Sequence, residues 1–261
     1  IAIIADPQLT DWYSYKQSGL SLWLTEFYTD IFMRRSFARL HQNLQPDAVL
    51  FLGDLMDGGR ETMDERTFEK NRNRFLENVS NGRSVRLYVA GNHEVGFGDT
   101  IVRKAVRRYK QEFGSINYEI NVGNHSLVIL DTLALSANLT SIQKESREFM
   151  TRLGQETPSL PRILFTHVPL FRLDTTFCGE ARESGQLILD RNGEQYQNMV
   201  NASLSREILH NIQPDMIFSG DDHDWCEIVH SLDDKLTPEV TVPTFSFAQG
   251  SKQPAFVVLS L

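Results

Sequence analysis

Only two cysteines, Cys178 and Cys226, occur in 261 residues. That is too few for a disulfide-framework scaffold or a cysteine-rich zinc site, and the pair is equally compatible with two reduced thiols and with one bridge. No apolar run approaches the ~20 residues needed to span a bilayer, and no signal peptide opens the chain. The chain starts without Met, at Ile1, inside what reads as a strand, as expected of an excised or processed domain, which leaves membrane anchors outside it open. A basic surface is missing too. With 26 Lys and Arg against 34 Asp and Glu, the net charge is −8, so no nucleic-acid partner is expected. An acidic chain can still bind an anion where metal ions supply the positive charge locally. Without any linker or low-complexity tract, residues 1–261 are expected to form a single domain.

What the chain does have is a repeated design. Six apolar, mostly β-branched runs end abruptly in polar groups: IAIIAD, AVLFLGD, VRLYVAGNHE, SLVILDT, ILFTHVP and MIFSGDDH. Such runs are expected of strands buried on both faces, and ligands of α/β sheets bind at strand C-terminal ends. Between them, residues 61–78 and 99–113 suit helices, and Leu204, Ile208 and Ile212 form an apolar stripe with Ser203 as the expected N-cap. Gln45-Pro46-Asp47 leads through a strand to Asp54, and Gln213-Pro214-Asp215 leads likewise to Asp221, one residue shorter. TVPTFSF and AFVVLSL read as closing strands. The alternation predicts an α/β fold. Four Asn-x-Ser/Thr sequons, at Asn78, Asn124, Asn138 and Asn201, point weakly to a lumenal or extracellular location.

Singly, an Asp after a strand is usually a turn residue, and a His in an apolar run is usually a core residue. The ordered set is more specific: Asp6-Pro7-Gln8, Gly53-Asp54 with Asp57, Gly91-Asn92-His93-Glu94, His167, and Gly220-Asp221-Asp222-His223. Every member follows a strand, so one sheet edge is expected to gather them. Carboxylate, amide and imidazole donors in such a cluster suit a pair of divalent cations ~4 Å apart that share a carboxylate and a water.

In this order the blocks resemble the calcineurin-like metallophosphoesterase superfamily. Within it, ADPQ, FLGDLMDGGR, GNHEVGFGDT, RILFTHVPLFR, CGEARES and FSGDDHDWC resemble the fungal cell-division-cycle/Ted-type branch, related to the mammalian post-GPI-attachment phosphodiesterase. The resemblance implies a four-layer α/β/β/α sandwich with two mixed sheets flanked by helices. It further implies a membrane-anchored enzyme of the endoplasmic reticulum or Golgi lumen that removes ethanolamine phosphate from a GPI-anchor mannose, usually with Mn²⁺. Position by position, Asp6, Asp54 and His223 would hold one metal, and Asp54, Asn92 and His167 the other. His93 would be the general acid, oriented by Glu94, while Asp57 and Arg60 would face the phosphate or support the ligands. Two positions depart from the superfamily pattern: Gln8 and Asp221 stand where it has histidines. Asp221 is a competent anionic ligand, and Gln8 can offer a carbonyl oxygen or hold a water. The resulting oxygen-rich site favours Mn²⁺ over Zn²⁺, Fe or Mg²⁺.

The same resemblance, implying a lumenal domain, favours a Cys178–Cys226 bridge beside the site. Trp12, Tyr13, Tyr15 and Trp225 either pack loops or line a sugar cleft. His41, His125, His210 and His230 lack ligand spacing and are expected to be structural. Rival readings are a phosphomonoesterase acting on phosphoprotein or nucleotide, and a catalytically dead scaffold. The scaffold would have no use for a buried acid cluster, which costs stability.

Overall fold

A computed structural model of the chain describes residues 1–62, 64–189, 192–193 and 196–261. All six apolar runs form strands. The elements run β1 (Ala2–Ile4), α1 (Gly19–Leu44), β2 (Ala48–Phe51), α2 (Glu65–Asn78), β3 (Val85–Tyr88), α3 (Asn92–Val95), α4 (Arg103–Phe113), β4 (Tyr118–Val122) and β5 (His125–Ile129). There follow α5 (Thr132–Leu135), α6 (Thr140–Gln155), β6 (Arg162–Phe165), β7 (Asn192–Gly193), β8 (Tyr196–Gln197), α7 (Ala202–Ile212), β9 (Met216–Ser219), β10 (Cys226–Leu232), β11 (Lys235–Thr241) and β12 (Val257–Val258).

Two mixed sheets form, in the orders β12-β1-β2-β3 and β10-β11-β9-β6-β5-β4. Their central strands are parallel, with Ile3 opposite Leu50, Leu50 opposite Leu87, and Leu164 opposite Ile217. The period of two along each strand sorts the side chains into layers. Ile3, Ala5, Leu50 and Leu52 pack against Leu127, Ile129, Phe165 and Phe218 of the other sheet. Their neighbours Ala2, Ile4, Val49 and Phe51 face the opposite way, onto Met33, Phe37 and Leu40 of α1 and Phe68 and Phe75 of α2. On the far side, Val128, Leu164 and Ile217 lie under Met150 and Leu153 of α6 and Leu204, Ile208 and Ile212 of α7. Helices thus flank both sheets, the sandwich that the resemblance implies.

The Gln-Pro-Asp echo has a structural cause. Gln45 and Gln213 are the left-handed C-caps of α1 and α7, at φ 44° and 52°. The following proline blocks helix continuation and launches β2 or β9. Local differences from expectation are small. Asn201, not Ser203, caps α7, accepting from the Leu204 N–H at 2.9 Å. The expected helices begin later, at Glu65 and Arg103. TVPTFSF contributes only the end of β11 and a bridge from Thr244 to Ala5 before a short 3₁₀ turn. The sequon at Asn78 is fully buried, its side chain accepting from Arg34, so the fold leaves no room there for a glycan.

A buried ionic network supports the β10–β11 edge. Glu239 lies between Arg172 (3.0 Å) and His230 (2.5 Å) and also accepts from Ser219 Oγ at 2.7 Å. Burial alone would raise its pKa, but Arg172 and His230 outweigh that and hold it at about 2, against 4.5 for an ordinary glutamate. A depressed acid stabilises the fold fully above its unfolded value, and that contribution fades as pH falls from 4.5 toward 2. Glu239→Gln is therefore expected to cost about 3 kcal/mol or more in denaturant unfolding at pH 7, because it strands the Arg172 charge. The gap to wild type should narrow below pH 4.5. An undiminished gap at pH 3 would show that packing, not charge, holds this edge.

Candidate metal centre

The C-terminal ends of β1, β2, β3, β6 and β9 converge, so two sheets rather than one bring the expected residues together. Directly after these strands the chain turns through the left-handed region at Asp6, Gln8, Asp54, Asp221 and His223, with φ between 37° and 67°. Non-glycine residues adopt this conformation at a cost of about 1 kcal/mol or more each. Hydrogen bonds across the site hold it, including Gln8 N–H to Asp54 O (2.8 Å) and Thr244 N–H to His223 O (3.1 Å). The glycines before the site residues allow the close approach. A Cβ on Gly53 would lie 2.5 Å from His167 Nδ1, and one on Gly91 would lie 2.2 Å from both the backbone N and Oδ1 of Asp54.

His167 is buried, and its Nδ1 donates to the Leu52 carbonyl at 2.7 Å. That hydrogen bond aims Nε2 at Asn92 Oδ1 (3.0 Å), Asp54 Oδ1 (3.3 Å) and Asp221 Oδ1 (3.5 Å). Three oxygens around one nitrogen are tolerable only if the imidazole is protonated or a cation sits among them. Donor atoms of Asp6, Asp54 and His167 all lie within 4.8 Å of one another. His223 Nε2 is 4.0 Å from Asp6 Oδ1, and the Asp221 N–H donates to both Asp6 oxygens at 3.1 and 3.2 Å.

Two buried oxygens show what the cluster fits. Gln8 turns its Nε2 to Asp54 Oδ2 at 3.1 Å, leaving Oε1 buried without a hydrogen-bond donor. Asp221 Oδ2 is buried and unpartnered as well. Buried polar atoms are normally satisfied, and a divalent cation would satisfy both. Charge tells the same story. Burial, reinforced by Asp54 and Asp221 against the opposing pull of His167, pushes the Asp6 carboxyl well above its usual range. Burial acts on Asp54 too, but His167 and His93 outweigh it and keep that carboxyl ionised. The donor set (carboxylates, two amide oxygens and two imidazoles) fits divalent metal.

His93 stands at the edge of the cluster. Its Nδ1 donates to the Asp57 carbonyl at 2.6 Å, leaving Nε2 directed at the site, 3.7 Å from Asp54 Oδ2. Burial would lower its pKa, but the carboxylate of Asp54 and the contacts with Asp57 raise it above the usual value. Glu94, expected to orient His93, turns to backbone groups. Its buried carboxyl accepts from the Gly91 and Met56 N–H groups, both at 3.1 Å, and burial raises it to about 7. Glu94 thus ties the turn after β3 to the turn after β2, and Asp57 positions the ring. Arg60 is likewise turned to the backbone. Its Nη1 donates to the Asn92 carbonyl (2.6 Å) and its N–H to the His93 carbonyl (2.7 Å), fixing both residues from behind.

Some of the surroundings escaped sequence reasoning. Asp11, buried, accepts from the N–H groups of Tyr13 and Gly58 and from Asn71 Nδ2, shaping the loop that packs Tyr13 edge-on to His93. The Leu52 carbonyl carries no side-chain signal at all. Of the six strand ends, only Asp131 after β5 stays out; it caps α5 through the Ala134 N–H. Cys178 and Cys226 are joined by a disulfide. With the Arg182–Asp222 ion pair and Asp224 accepting from the Glu183 and Ser184 N–H groups, it docks residues 178–184 against 221–226. A cleft of about 410 Å³ opens there beside His223, lined by Glu183, Ser184, Asp224, Gln249 and Lys252. Trp225 is half-buried against the inter-sheet core, whereas Trp12 and Tyr15 are exposed.

Comparison with known proteins agrees with this geometry. The family model described as calcineurin-like phosphoesterase matches residues 1–225. Cell division control protein 1 of Saccharomyces cerevisiae is 37% identical over 270 aligned residues, covering 100% of this chain and 55% of the yeast protein. Metallophosphoesterase 1 of Mus musculus is 28% identical, over 92% of this chain and 64% of its own. The chain therefore spans between half and two thirds of the length of these relatives. Among solved structures, the purple acid phosphatase PPD1 of yellow lupin superposes with a TM-score of 0.60 at 14% identity, over 100% of this chain and 46% of its own. A dimetal phosphatase from Danio rerio superposes with a TM-score of 0.53 at 12% identity, over 93% and 86%. On sequence and fold alike, the chain belongs to the calcineurin-like phosphoesterase family.

Proposed function

We propose that the chain is a two-metal phosphodiesterase that removes ethanolamine phosphate from a mannose of the GPI-anchor glycan. One observation carries the chemistry: buried carboxylate, amide and imidazole donors converge with two oxygens unpartnered, and His93 is fixed at their edge. Asp6, Asp54, His223 and Gln8 would hold one cation, and Asp54, Asn92, His167 and Asp221 the other. One imidazole on each side of an oxygen-rich set favours Mn²⁺. Such cations, when bound, lower the pKa of a water toward ~7 and neutralise charge building on phosphoryl oxygens.

The protein's own part is positioning and proton transfer. Asp57 and Arg60 fix His93 so that its Nε2 proton faces the ester. Water adds to phosphorus, the bond from phosphorus to the sugar oxygen breaks, and His93 delivers its proton to that oxygen. Phosphoethanolamine and a free mannose hydroxyl result. The cleft beside His223 has room for the part of the substrate that does not react.

The choice of substrate is supported by the resemblance of the quoted segments to the Ted-type branch. A lumenal setting in the endoplasmic reticulum or Golgi is supported by the disulfide, since such bonds persist in oxidising compartments. No described helix is long and apolar enough to cross a membrane, so on this reading the anchoring segments lie outside the chain.

Initial rates on an aryl phosphodiester and an aryl phosphomonoester, in chelator-stripped protein with and without Mn²⁺, test the reading. The diester is expected to turn over at least about tenfold faster, and His93→Ala to lower that rate about 10²- to 10⁴-fold. Release of phosphoethanolamine from GPI glycan should follow. Faster turnover of the monoester would replace this reading with a phosphomonoesterase. No turnover of either ester or the glycan with any divalent ion would favour a scaffold.

A further inference from the structure

Helix α1 carries apolar side chains on two separate faces. Thr29, Met33, Phe37 and Leu40 turn inward. In the first half of the helix Leu20, Trp23, Leu24 and Phe27, spaced i, i+3, i+4 and i+7, form a stripe centred roughly 135° away from that core face on a helical wheel. They are 39–72% exposed, and the Trp23 and Phe27 rings stack at 5.4 Å. Isolated exposed leucines need no explanation, but a contiguous outward stripe of this kind marks an interaction surface.

Its chemistry identifies the occupant. We infer that this face of α1 rests on a phospholipid bilayer. Trp, Phe and Leu beside cationic side chains are the composition of a helix lying in the headgroup region. The cations follow directly: Arg35 and Arg39 are exposed within the next turns of the same helix. Its two acidic side chains, Glu26 and Asp30, both pair with Arg74, which offsets part of their charge. In a chain of net charge −8, this helix offers cations next to an apolar stripe. The same helix is also linked to the loop that borders the metal centre. Arg74 ties α1 to the Thr10 carbonyl, and the loop that follows carries exposed Trp12 together with Tyr13, which packs on His93.

The test is cosedimentation of the protein with phosphatidylcholine vesicles, with and without phosphatidylserine. Wild type is expected to partition onto both, more strongly with the anionic lipid. The double variant Trp23→Ser/Phe27→Ser should lower partitioning at least about tenfold on both. Arg35→Gln/Arg39→Gln should lower only the anionic increment. Melting temperature serves as the folding control. The binding readout needs no turnover, so a failed phosphodiesterase reading would leave it intact. Absence of vesicle binding, or binding unchanged in the aromatic variant, would overturn the inference. So would a concentration-dependent dimer that the aromatic variant abolishes in the absence of any effect on vesicles, which would assign the stripe to a second copy of the chain.

Discussion

Chelator-stripped protein is expected to melt about 10 °C higher once saturating Mn²⁺ is added, and Asp6→Asn is expected to lose that rise. A ligand present at about 1,000 times its dissociation constant contributes about 4 kcal/mol, which corresponds to roughly 2–4 °C per kcal/mol for a domain near this size. Asp6 is the informative position because it is completely buried among other acids. Its folded-state pKa lies above the unfolded value, so ionising it costs stability, and that cost disappears as pH falls or when the residue is an amide. In chelator, Asp6→Asn should therefore melt at or above wild type at pH 7. With metal the order should reverse, and turnover should drop at least about a hundredfold. Scanning calorimetry of both proteins in both conditions reads all four values. A variant that is destabilised in chelator and still responds fully to Mn²⁺ would mean that Asp6 is a structural acid.

Gly91→Ala is expected to be strongly damaging. The added Cβ would meet the backbone N and Oδ1 of Asp54 at 2.2 Å, and Glu94 Oε2 at 2.9 Å. Two of those atoms belong to a strand end that cannot retreat, because Gln8 N–H and His93 N–H are hydrogen-bonded to the same residue. Overpacking typically costs about 1–3 kcal/mol, and here the top of that range or beyond is expected, together with loss of turnover. Gly114→Ala is the control. Its φ of 96° strains any side chain, but no atom lies within 4 Å of the new Cβ, so a loss of about 1 kcal/mol and normal turnover are expected. Denaturant unfolding of the two variants separates steric overlap at the site from general backbone strain. Equal losses would show that the packing of Gly91 has no special importance.

A good part of this protein was legible in one dimension. The runs ending at Asp6, Asp54, Asn92, His167 and Asp221 are strands because β-branched residues buried on both faces favour the extended chain, and each polar terminus falls where a strand leaves its sheet. The prolines after Gln45 and Gln213 mark helix ends for a reason local to the backbone. What stayed hidden depends on atoms that side-chain identity does not encode. The carbonyls of Leu52 and Asp57 decide which nitrogen of His167 and His93 faces the site, and no residue type announces a carbonyl's direction. Glu94 and Arg60 were legible as polar residues beside the site, but their partners are backbone groups of neighbouring turns, so their supporting roles emerge only from the assembled strand ends.

By itself, then, the order of residues determined the strands, the donor atoms at their ends and the acidic, metal-ligating chemistry of the cluster. Composition and periodicity act over a few residues at a time, and that range suffices for each of these. Only the tertiary structure decided that two sheets rather than one deliver those ends, that Asp131 stays outside the cluster while Asp221 enters it, and that one face of α1 remains uncovered. Those outcomes depend on strand order and on contacts between residues far apart in sequence, such as the Asp221 N–H on Asp6, 215 positions away. Local propensity cannot reach across that distance; the packing of the two sheets does.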